Sequence, residues 1–368
     1  MKSNYKKLGQ YIRQIDVRNT EGKEENLLGV SVQKMFIPSI ANTVGTDFTK
    51  YKVVKKGQFT YIPDTSRRGD KIGIALLTDY EEGLVSNVYT VFEVIDEHEL
   101  IPEYLMLWFS RPEFDRYARF KSHGSVREVM DWDEMCKVEL PVPAYEEQKR
   151  IVDSYKTITE RIALKQKIND NLEEAALSIY KDSIGEVSQD EFESIYNVLA
   201  IINGAAFSSD LFNSEGNGYP LVRIRDLSNC SPDVYTTEQL TKTEYVNAGD
   251  ILIGMDGEFI PHIWHGAKGV LNQRVCKVIP KEDYIHPLFL YLTLKPILAE
   301  IQRTQGGTTV IHIGKKDFDN MSCVSLNKNE HISLSKKLSP VFELMLANAK
   351  ETHVLSQTQE IILAELSR

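Results

Sequence analysis

Several patterns that mark common enzyme classes are missing from this chain. Neither a glycine-rich phosphate loop of the form GxxxxGK nor a GxGxxG segment follows any predicted strand, and no GxSxG nucleophile motif is present. These absences argue against a nucleotide hydrolase, a dinucleotide-dependent enzyme or a serine hydrolase of the usual kinds. The sequence is therefore more informative about binding than about catalysis.

Cysteine is scarce, and long apolar runs are missing. Cys136, Cys230, Cys276 and Cys323 lie far apart with no CxxC spacing, which favours free thiols in a reduced compartment over disulfides or a thiolate zinc site. We find no signal-peptide pattern and no apolar run of the roughly 18 residues that a membrane helix needs. We therefore expect a cytoplasmic protein with no membrane association.

Positive charge is also in deficit, since 43 basic and 53 acidic residues give a net charge of −10. Phosphate contacts supply much of the affinity of proteins for nucleic acid, so this balance argues against a chain that binds nucleic acid tightly on its own. Either basic residues are gathered on local faces, or partners supply the missing positive surface.

A heptad pattern occurs twice, once in residues 146–182 and again 183 residues later. Each seam is apolar at both ends and polar at its centre, where Lys165 and Asn169 match Asn348 and Thr352. The seam positions are Tyr155, Ile158, Ile162, Lys165, Asn169, Leu172, Ala176 and Ile179 in the first copy and Leu338, Val341, Met345, Asn348, Thr352, Leu355, Gln359 and Ile362 in the second.

These stretches predict two long spacer helices. A helix over residues 146–182 would be about 55 Å long, which is more than one domain needs to close its core. The connection from Ser183 to Gln189 is too short to return along such a helix, so we predict an antiparallel coiled coil. The alternative is two ordinary amphipathic helices, each packed on its own domain.

The rest of the sequence is duplicated as well. VNAGDILIGMD at 246–256 aligns with VKKGQFTYIPD at 54–64, and residues 269–278 align with residues 83–92. Short alternating runs bounded by glycine, proline and aspartate predict strands, including one over 84–94. Repeats at such a separation indicate a duplicated domain.

We therefore predict an α/β chain of two similar mixed α/β domains, separated by the antiparallel coiled coil and related by a pseudo-twofold axis. The predicted boundaries are 1–145 for the first domain, 146–183 for the first helix, 184–329 for the second domain and 330–368 for the second helix.

Residues that could contact DNA occur in both copies. PLVRIRDL at 220–227 alternates as a strand would, which predicts that Arg223 and Arg225 project from one face; the alternative is that they pair with Asp226 or Asp210. The predicted contacts are Arg67, Arg68, Lys71, Ser125 and Arg127 in the first copy and Arg223, Arg225, Lys268, Asn272, Gln273, Arg274, Thr308, Thr309 and His312 in the second. Ordinary turns and polar strand edges are the alternatives for the loop and amide residues.

A catalytic or metal site has little support. His262 and His265 flank Trp264 in a glycine-rich loop, a setting more typical of base or backbone contacts than of zinc ligands. Glu147 and Lys149 loosely fit a nuclease pattern, but they open a long helix, where a charged first turn explains them better. We predict no catalytic residue and no metal site.

With these features in place, the sequence resembles the DNA-specificity subunits of type I restriction-modification systems. The likeness covers nearly the whole chain and rests on the tandem repeat, the long helix after each copy, and the segments PLVRIRDL, GDILIGMDGEF, NQRV, GGTTVIHI and VELPVPAYEEQKRI. The resemblance implies two target recognition domains that each recognise one half of a split sequence in double-stranded DNA. It also implies a coiled coil that sets the gap between the halves, in a system that defends against foreign DNA.

The resemblance further implies that the chain is not catalytic and holds no cofactor. Two adenine-methyltransferase subunits would bind S-adenosylmethionine, and two restriction and translocation subunits would bind ATP. Two rival functions follow from the same sequence. A protein-binding adaptor without DNA contacts would also explain duplicated domains. A fused methylase or nuclease would require an NPP[FY] or DPPY segment, and neither occurs.

The start of the second long helix departs from the family pattern. Residues 325–331 lack the proline-rich lead and the glutamine found in residues 141–148. Pro340 falls inside the helical pattern, and proline removes one backbone hydrogen bond. We therefore expect a kink at this position or a helix that begins near Ser339.

Overall fold

The structure of the chain is a computed structural model that describes residues 5–40, 45–65, 71–122, 128–185, 192–305 and 312–367. The chain divides into two compact units. The first comprises Met1–Glu160 with Gln357–Arg368, and the second comprises Arg161–Ser356. Both units mix helices and strands, in agreement with the predicted α/β class.

The first unit is organised around an antiparallel sheet. Its strands are β1 (Tyr5–Lys7), β2 (Ile12–Ile15), β3 (Leu28–Val30), β4 (Phe36–Pro38), β5 (Lys52–Lys55), β6 (Phe59–Tyr61), β7 (Ile74–Leu76), β8 (Glu82–Val85), β9 (Thr90–Val94) and β10 (Glu139–Pro141). Its helices are α1 (Pro102–Phe109), α2 (Pro112–Lys121), α3 (Trp132–Cys136) and the first part of α4 (Tyr145–Ile184). The larger sheet has the order β2-β9-β6-β7, while β1 pairs with β10, β3 with β4 and β5 with β8.

Aromatic side chains form the core beneath this sheet. Phe59 on β6 stacks on Phe92 on β9 with ring centroids 4.8 Å apart, and Phe109 of α1 meets both rings edge-on. Such edge and stacked contacts add to the free energy gained from burying the rings. The alternating pattern of the strands therefore produces one apolar face, which α1 covers.

The second unit has the same kind of core sheet. Its strands are β11 (Phe192–Ser194), β12 (Leu199–Asn203), β13 (Phe212–Asn213), β14 (Tyr219–Val222), β15 (Tyr235–Thr236), β16 (Tyr245–Val246), β17 (Ile251–Gly254), β18 (Pro261–Ile263), β19 (Gly269–Leu271), β20 (Val275–Pro280) and β21 (Ser322–Val324). Its helices are α5 (Pro287–Gln305), α6 (Lys315–Asp319), most of α7 (Lys328–Glu365) and the remainder of α4. Ile251, Ile253 and Val278 of the sheet share one buried cluster with Phe289 and Leu298 of α5.

The two units share a strand order. The sheet β12-β20-β17-β18 matches β2-β9-β6-β7, and the pair β11-β21 matches β1-β10. The registers agree too, since Tyr61 faces Thr90 in the first unit and Ile253 faces Cys276 in the second. The duplication seen in the sequence is therefore also a duplication of topology.

The peripheral strands differ between the units. In the second unit β13, β15, β14, β19 and β16 form one five-stranded sheet, whereas in the first unit β3-β4 and β5-β8 are separate pairs. The strand predicted over residues 84–94 is also wrong in part. It is divided into β8 and β9 by a turn in which the Tyr89 amide donates to the Ser86 carbonyl.

The two long helices pair in antiparallel fashion, as predicted. In the second unit, Lys165 of α4 contacts Asn348 of α7, while Asn169, one turn later, contacts the earlier residue Met345. In the first unit, the Gln359 amide donates to the Thr159 hydroxyl at 2.6 Å. Residue numbers on one helix therefore rise as those on the other fall.

The start of α7 differs from one expectation. The helix begins at Lys328 and continues through Pro340, so a start near Ser339 is wrong. Asn327 explains the earlier start, because its side chain accepts the Glu330 amide at 3.1 Å while the Glu330 carboxylate accepts the Asn327 amide at 2.7 Å. This reciprocal cap satisfies amides that the first turn leaves unpaired. Burial of Leu338 and other apolar residues then outweighs the single backbone bond lost at proline.

Candidate nucleic-acid interface

The centre of the helix pair is a network of polar side chains. Asn348 is buried; its amide oxygen accepts from Lys165 Nζ at 2.9 Å and its amide nitrogen donates to Asn169 at 3.0 Å. Glu351 binds Lys165 at 2.9 Å and also pairs with Arg161. Because the buried Asn348 and the half-buried Lys165 and Asn169 satisfy one another across the helix pair, the network favours one register of the two helices.

None of the predicted seam positions is exposed, and several of them, including Ala176, Leu338 and Met345, share a buried cluster with the sheet and α5 of the second unit. Each of the sixteen residues that the heptad pattern predicts is buried or half-buried, from Tyr155 to Ile179 on α4 and from Leu338 to Ile362 on α7. The polar residues at the centre replace apolar packing with hydrogen bonds. The result is a helix pair with hydrogen bonds between the two helices at its centre.

Gln148 attaches the first long helix to its unit. Its side chain is fully buried, accepts the Ile101 amide at 2.9 Å and donates to the carbonyls of Glu99 and Pro143 at 2.8 and 2.9 Å. The corresponding position on α7 is His331, which is buried against the rings of Tyr284 and Phe289 instead. The helix that lacks the glutamine is therefore anchored by ring packing.

Arg223 has a different environment from the one predicted. β14 ends at Val222, and Arg223 opens a short 3₁₀ helix, so the prediction that both arginines project from one strand face is wrong. Its guanidinium donates twice to the buried carboxylate of Asp226, at 2.9 and 3.0 Å, and also contacts Asp233. Hydrogen bonding to Asp226 raises the pKa of Arg223. Pairing with Asp226, the alternative considered for this arginine, is what the structure shows.

Arg225, Lys268 and Lys71 are exposed cations. Lys268 lies over the ring of Tyr245, with Nζ 4.5 Å from the centroid, and that ring meets Tyr219 edge-on. A cation held over an aromatic face keeps its charge available while its position is restricted. These residues offer positive charge that could contact phosphate.

Predicted residues from distant parts of the second unit meet at the end of β17. The Asp256 carboxylate accepts from His312 Nδ1 at 2.7 Å and lies 3.6 Å from Arg274 Nε. Asn272 and Gln273 precede Arg274. The Gln273 backbone amide donates to the Asn272 side chain at 2.9 Å, and Gln273 itself is exposed. The structure thus brings together four of the predicted DNA contacts, Asn272, Gln273, Arg274 and His312.

The backbone around Asp256 is tightly constrained. The Met255 amide donates to the Arg274 carbonyl at 3.0 Å, and the Ile313 amide donates to the Met255 carbonyl at 2.9 Å. Gly257 follows with φ +82°, a conformation that L side chains rarely adopt. Asp256, a residue that the sequence did not single out as a DNA contact, therefore lies between two segments held by hydrogen bonds.

A buried ion pair in the first unit was not predicted. Lys34, which has φ 64°, places Nζ 2.6 Å from Asp115 on α2, and burial lowers the pKa of this lysine. The same carboxylate accepts the amide of Ile72 at 3.1 Å, immediately after Lys71. The pair fixes the backbone next to a predicted DNA contact, and no sequence pattern connects these distant residues.

Six predicted contacts, namely Arg67, Arg68, Ser125, Arg127, Thr308 and Thr309, lie outside the described residues. His262 and His265 are partly buried, and burial lowers the pKa of both. Among the residues that the structure describes, no cluster of three or more His, Cys, Asp or Glu side chains could hold a metal ion.

The sequence matches the family described as type I restriction modification DNA specificity domain, over residues 4–174 and again over residues 190–365. The two matches coincide with the duplication of topology. The EcoBI specificity subunit of Escherichia coli is 37% identical over 123 residues, a match that covers 33% of this chain and 26% of that relative. The HindI specificity subunit of Haemophilus influenzae is 20% identical over 401 residues, covering 86% of each chain.

A solved structure has a similar fold. The crystal structure of the type I restriction-modification S subunit from M. genitalium covers 99% of this chain and 96% of its own, with a TM-score of 0.55 and 13% sequence identity. Across the described ranges, no helix is both long and apolar enough to cross a membrane. Two family matches that together span most of the sequence show that the chain belongs to the type I restriction modification DNA specificity family.

Proposed function

We propose that this chain is the DNA-specificity subunit of a type I restriction-modification complex and recognises a split target in double-stranded DNA. The observation that supports this most strongly is the repeated fold, in which one strand order occurs twice with different exposed side chains. Two equivalent scaffolds with unlike surfaces suit recognition of two different half-sites. In this proposal residues 1–145 and 184–329 are the recognition domains and 146–183 and 330–368 are the spacer helices.

The spacer helices would hold the two half-sites at a fixed distance. Support comes from the polar network around Asn348, which favours one register, and from Gln148, which anchors α4 at its start. A fixed register and a fixed attachment are both needed if a helix pair is to set a distance. The DNA contacts would come from thirteen of the fourteen predicted residues, while Arg223 would act through its pairing with Asp226 rather than through direct contact.

The chain would have no catalytic role of its own. Two adenine-methyltransferase subunits would bind S-adenosylmethionine, two restriction and translocation subunits would bind ATP, and this chain would hold them on the target. A net charge of −10 fits such a division of labour, because the partners would then supply much of the positive surface that DNA binding needs.

Reconstitution tests this proposal. The full chain, alone and with the adenine methyltransferase of its host system, is titrated with a duplex that contains the split target and with one that does not. We expect weak binding by the chain alone at physiological salt and selective binding by the complex. A chain that fails to co-purify with the methyltransferase, or a complex without selectivity, would favour a protein-binding adaptor instead.

A further inference from the structure

The end of β17 and the end of β6 have the same backbone framework. Asp256 forms an isolated bridge with His312, and Asp64 forms one with Val129. Each aspartate lies three residues after an equivalent strand position, Ile253 on β17 or Tyr61 on β6. The Ile313 amide donates to Met255 in the second unit at 2.9 Å. In the first unit the Met130 amide donates to Pro63 at 3.0 Å.

The adjacent turn is conserved between the units as well. The Val275 amide donates to the Asn272 carbonyl at 2.9 Å, and the Tyr89 amide donates to the Ser86 carbonyl at 3.0 Å. Arg274 precedes Val275, just as Val88 precedes Tyr89. Arg274 and Val88 are therefore equivalent positions on one scaffold.

Both frameworks carry an aspartate, Asp64 or Asp256, but the side chains at the two neighbouring positions differ in chemistry. The second unit presents Arg274 and His312, whose side chains are 57% and 46% exposed, around Asp256, which is 30% exposed. The first unit presents Val129 and a 67% exposed Val88 at the equivalent positions. Exposed valine costs free energy in water, and an apolar contact with the methyl group of thymine would offset that cost.

Asp256 leaves hydrogen-bonding groups available on both of its partners. A carboxylate only accepts, so His312 Nδ1 carries the proton that it donates, and Nε2 lies on the other side of the ring. The contact with Arg274 is at Nε, which is not one of the two terminal amino groups. Donors and acceptors held in place by a third group suit recognition of base edges.

We propose that Asp256 is a positioning residue that holds Arg274 and His312 as the specificity pair of the second domain, and that Val88 and Val129 are the corresponding pair of the first. This inference rests on the proposed function. In this inference, the two half-sites differ in sequence because the two domains present different side chains at matched positions. In each domain one member precedes the central strand β9 or β20, and the other pairs with the strand-end aspartate.

The test uses the full chain in complex with its methyltransferase and measures methylation of duplexes with single-base changes in either half-site. We expect D256N to lower discrimination about tenfold in one half-site and to leave the other unchanged. R274V/H312V, which installs the residues of the first domain, should relax the same half-site. Adding D256N to R274V/H312V should have no further effect, because a positioning residue acts only through its partners.

The matched control is E300Q. Glu300 pairs with Arg303 on the exposed surface of α5, so this variant removes one negative charge from the same unit without touching the cluster. E300Q should keep full discrimination at both half-sites. A loss in D256N that affects both half-sites equally, or that adds fully to R274V/H312V, would overturn the inference. A parent complex without a split target would overturn the proposed function, and this inference with it.

Discussion

Arg223 and Arg225 are separated by one residue but have opposite surroundings. Arg223 is bound to the buried Asp226, whereas Arg225 is exposed. Removing one partner of such a pair leaves a buried charge without compensation. We therefore expect R223A to destabilise the second unit by about 3 kcal/mol in urea unfolding.

Arg225→Ala is the matched control in that experiment. As an exposed substitution it should change the free energy of unfolding by less than about 0.5 kcal/mol, while weakening DNA binding by the complex. Equal stability of the two variants would mean that the Asp226 contact is not structural.

We expect His331 to make the second unit sensitive to acid. Burial holds its pKa below the ordinary value of 6.5 in the folded chain, so the unfolded chain takes up a proton first as the pH falls. The contribution of the neutral His331 ring to the stability of the fold is fully present above pH 6.5. It is lost as the pH falls through the lowered pKa of the folded chain. His331→Gln, which installs the residue found at Gln148, should therefore reduce the loss of stability between pH 7 and pH 5.

Thermal unfolding of the parent and of H331Q at a series of pH values measures this difference. H98Q, at an exposed histidine of the first unit, is the control. Parallel curves for the parent and H331Q would show that this ring has no part in the acid sensitivity.

Individual contacts were the least predictable feature from sequence. The alternation in PLVRIRDL predicted a strand, but Asp226 accepts the Arg223 backbone amide at 2.9 Å, and this local hydrogen bond turns the chain instead. The role of Asp256 depends on Arg274 and His312, which are brought to it by the fold. Pairing across such distances leaves no periodic signal in a single sequence.

At the scale of elements, the helix pair depends on its polar centre. Asn348→Leu alone would leave Lys165 and Asn169 without one partner each, and we expect a loss of about 2 kcal/mol in the stability of the second unit. N169L/N348L replaces both amides by an apolar pair, so its loss should be smaller than the sum of the two single losses. Urea unfolding, with hydrogen exchange of α4 and α7 as the probe, measures the coupling between the two amides. Strictly additive losses of stability would show that the two amides act independently.

Long elements were predictable because their signals are local and repeated. The heptad pattern identified both helices and their antiparallel pairing, since apolar spacing and a short connection leave few other arrangements. Short elements were less predictable from the sequence. The turn at 86–89 contains neither glycine nor proline, which is why the sequence suggested one strand where β8 and β9 are separate.

At the scale of the whole molecule, the length of the two long helices should determine the gap between the half-sites. Deleting residues 158–164 and 352–358 removes one heptad from each helix and retains Lys165, Asn169 and Asn348. Seven residues correspond to about 10 Å of helix, or about three base pairs. We expect both half-sites to be kept and the gap between them to shorten, as measured by methylation of targets with different gaps; an unchanged gap would contradict a spacer role.

The duplication was visible in the sequence because insertions had not erased the matched segments at 54–64 and 246–256. The bases recognised by each domain are a different matter. Under the proposed function, they would depend on which side chains the shared framework places against a groove, where Arg274 and His312 contrast with Val88 and Val129. The alignment of residues 269–278 with 83–92 already matches Arg274 to Val88, whereas the equivalence of His312 and Val129 becomes apparent when the hydrogen bonds of the two units are compared.

Sequencing of the methylated adenines in cells with and without the gene tests the central claim most directly. The account predicts one split motif, with two unlike half-sites and a fixed gap, that is methylated only when the gene is present. Methylation that is unchanged by loss of the gene, or a motif that is continuous rather than split, would contradict it.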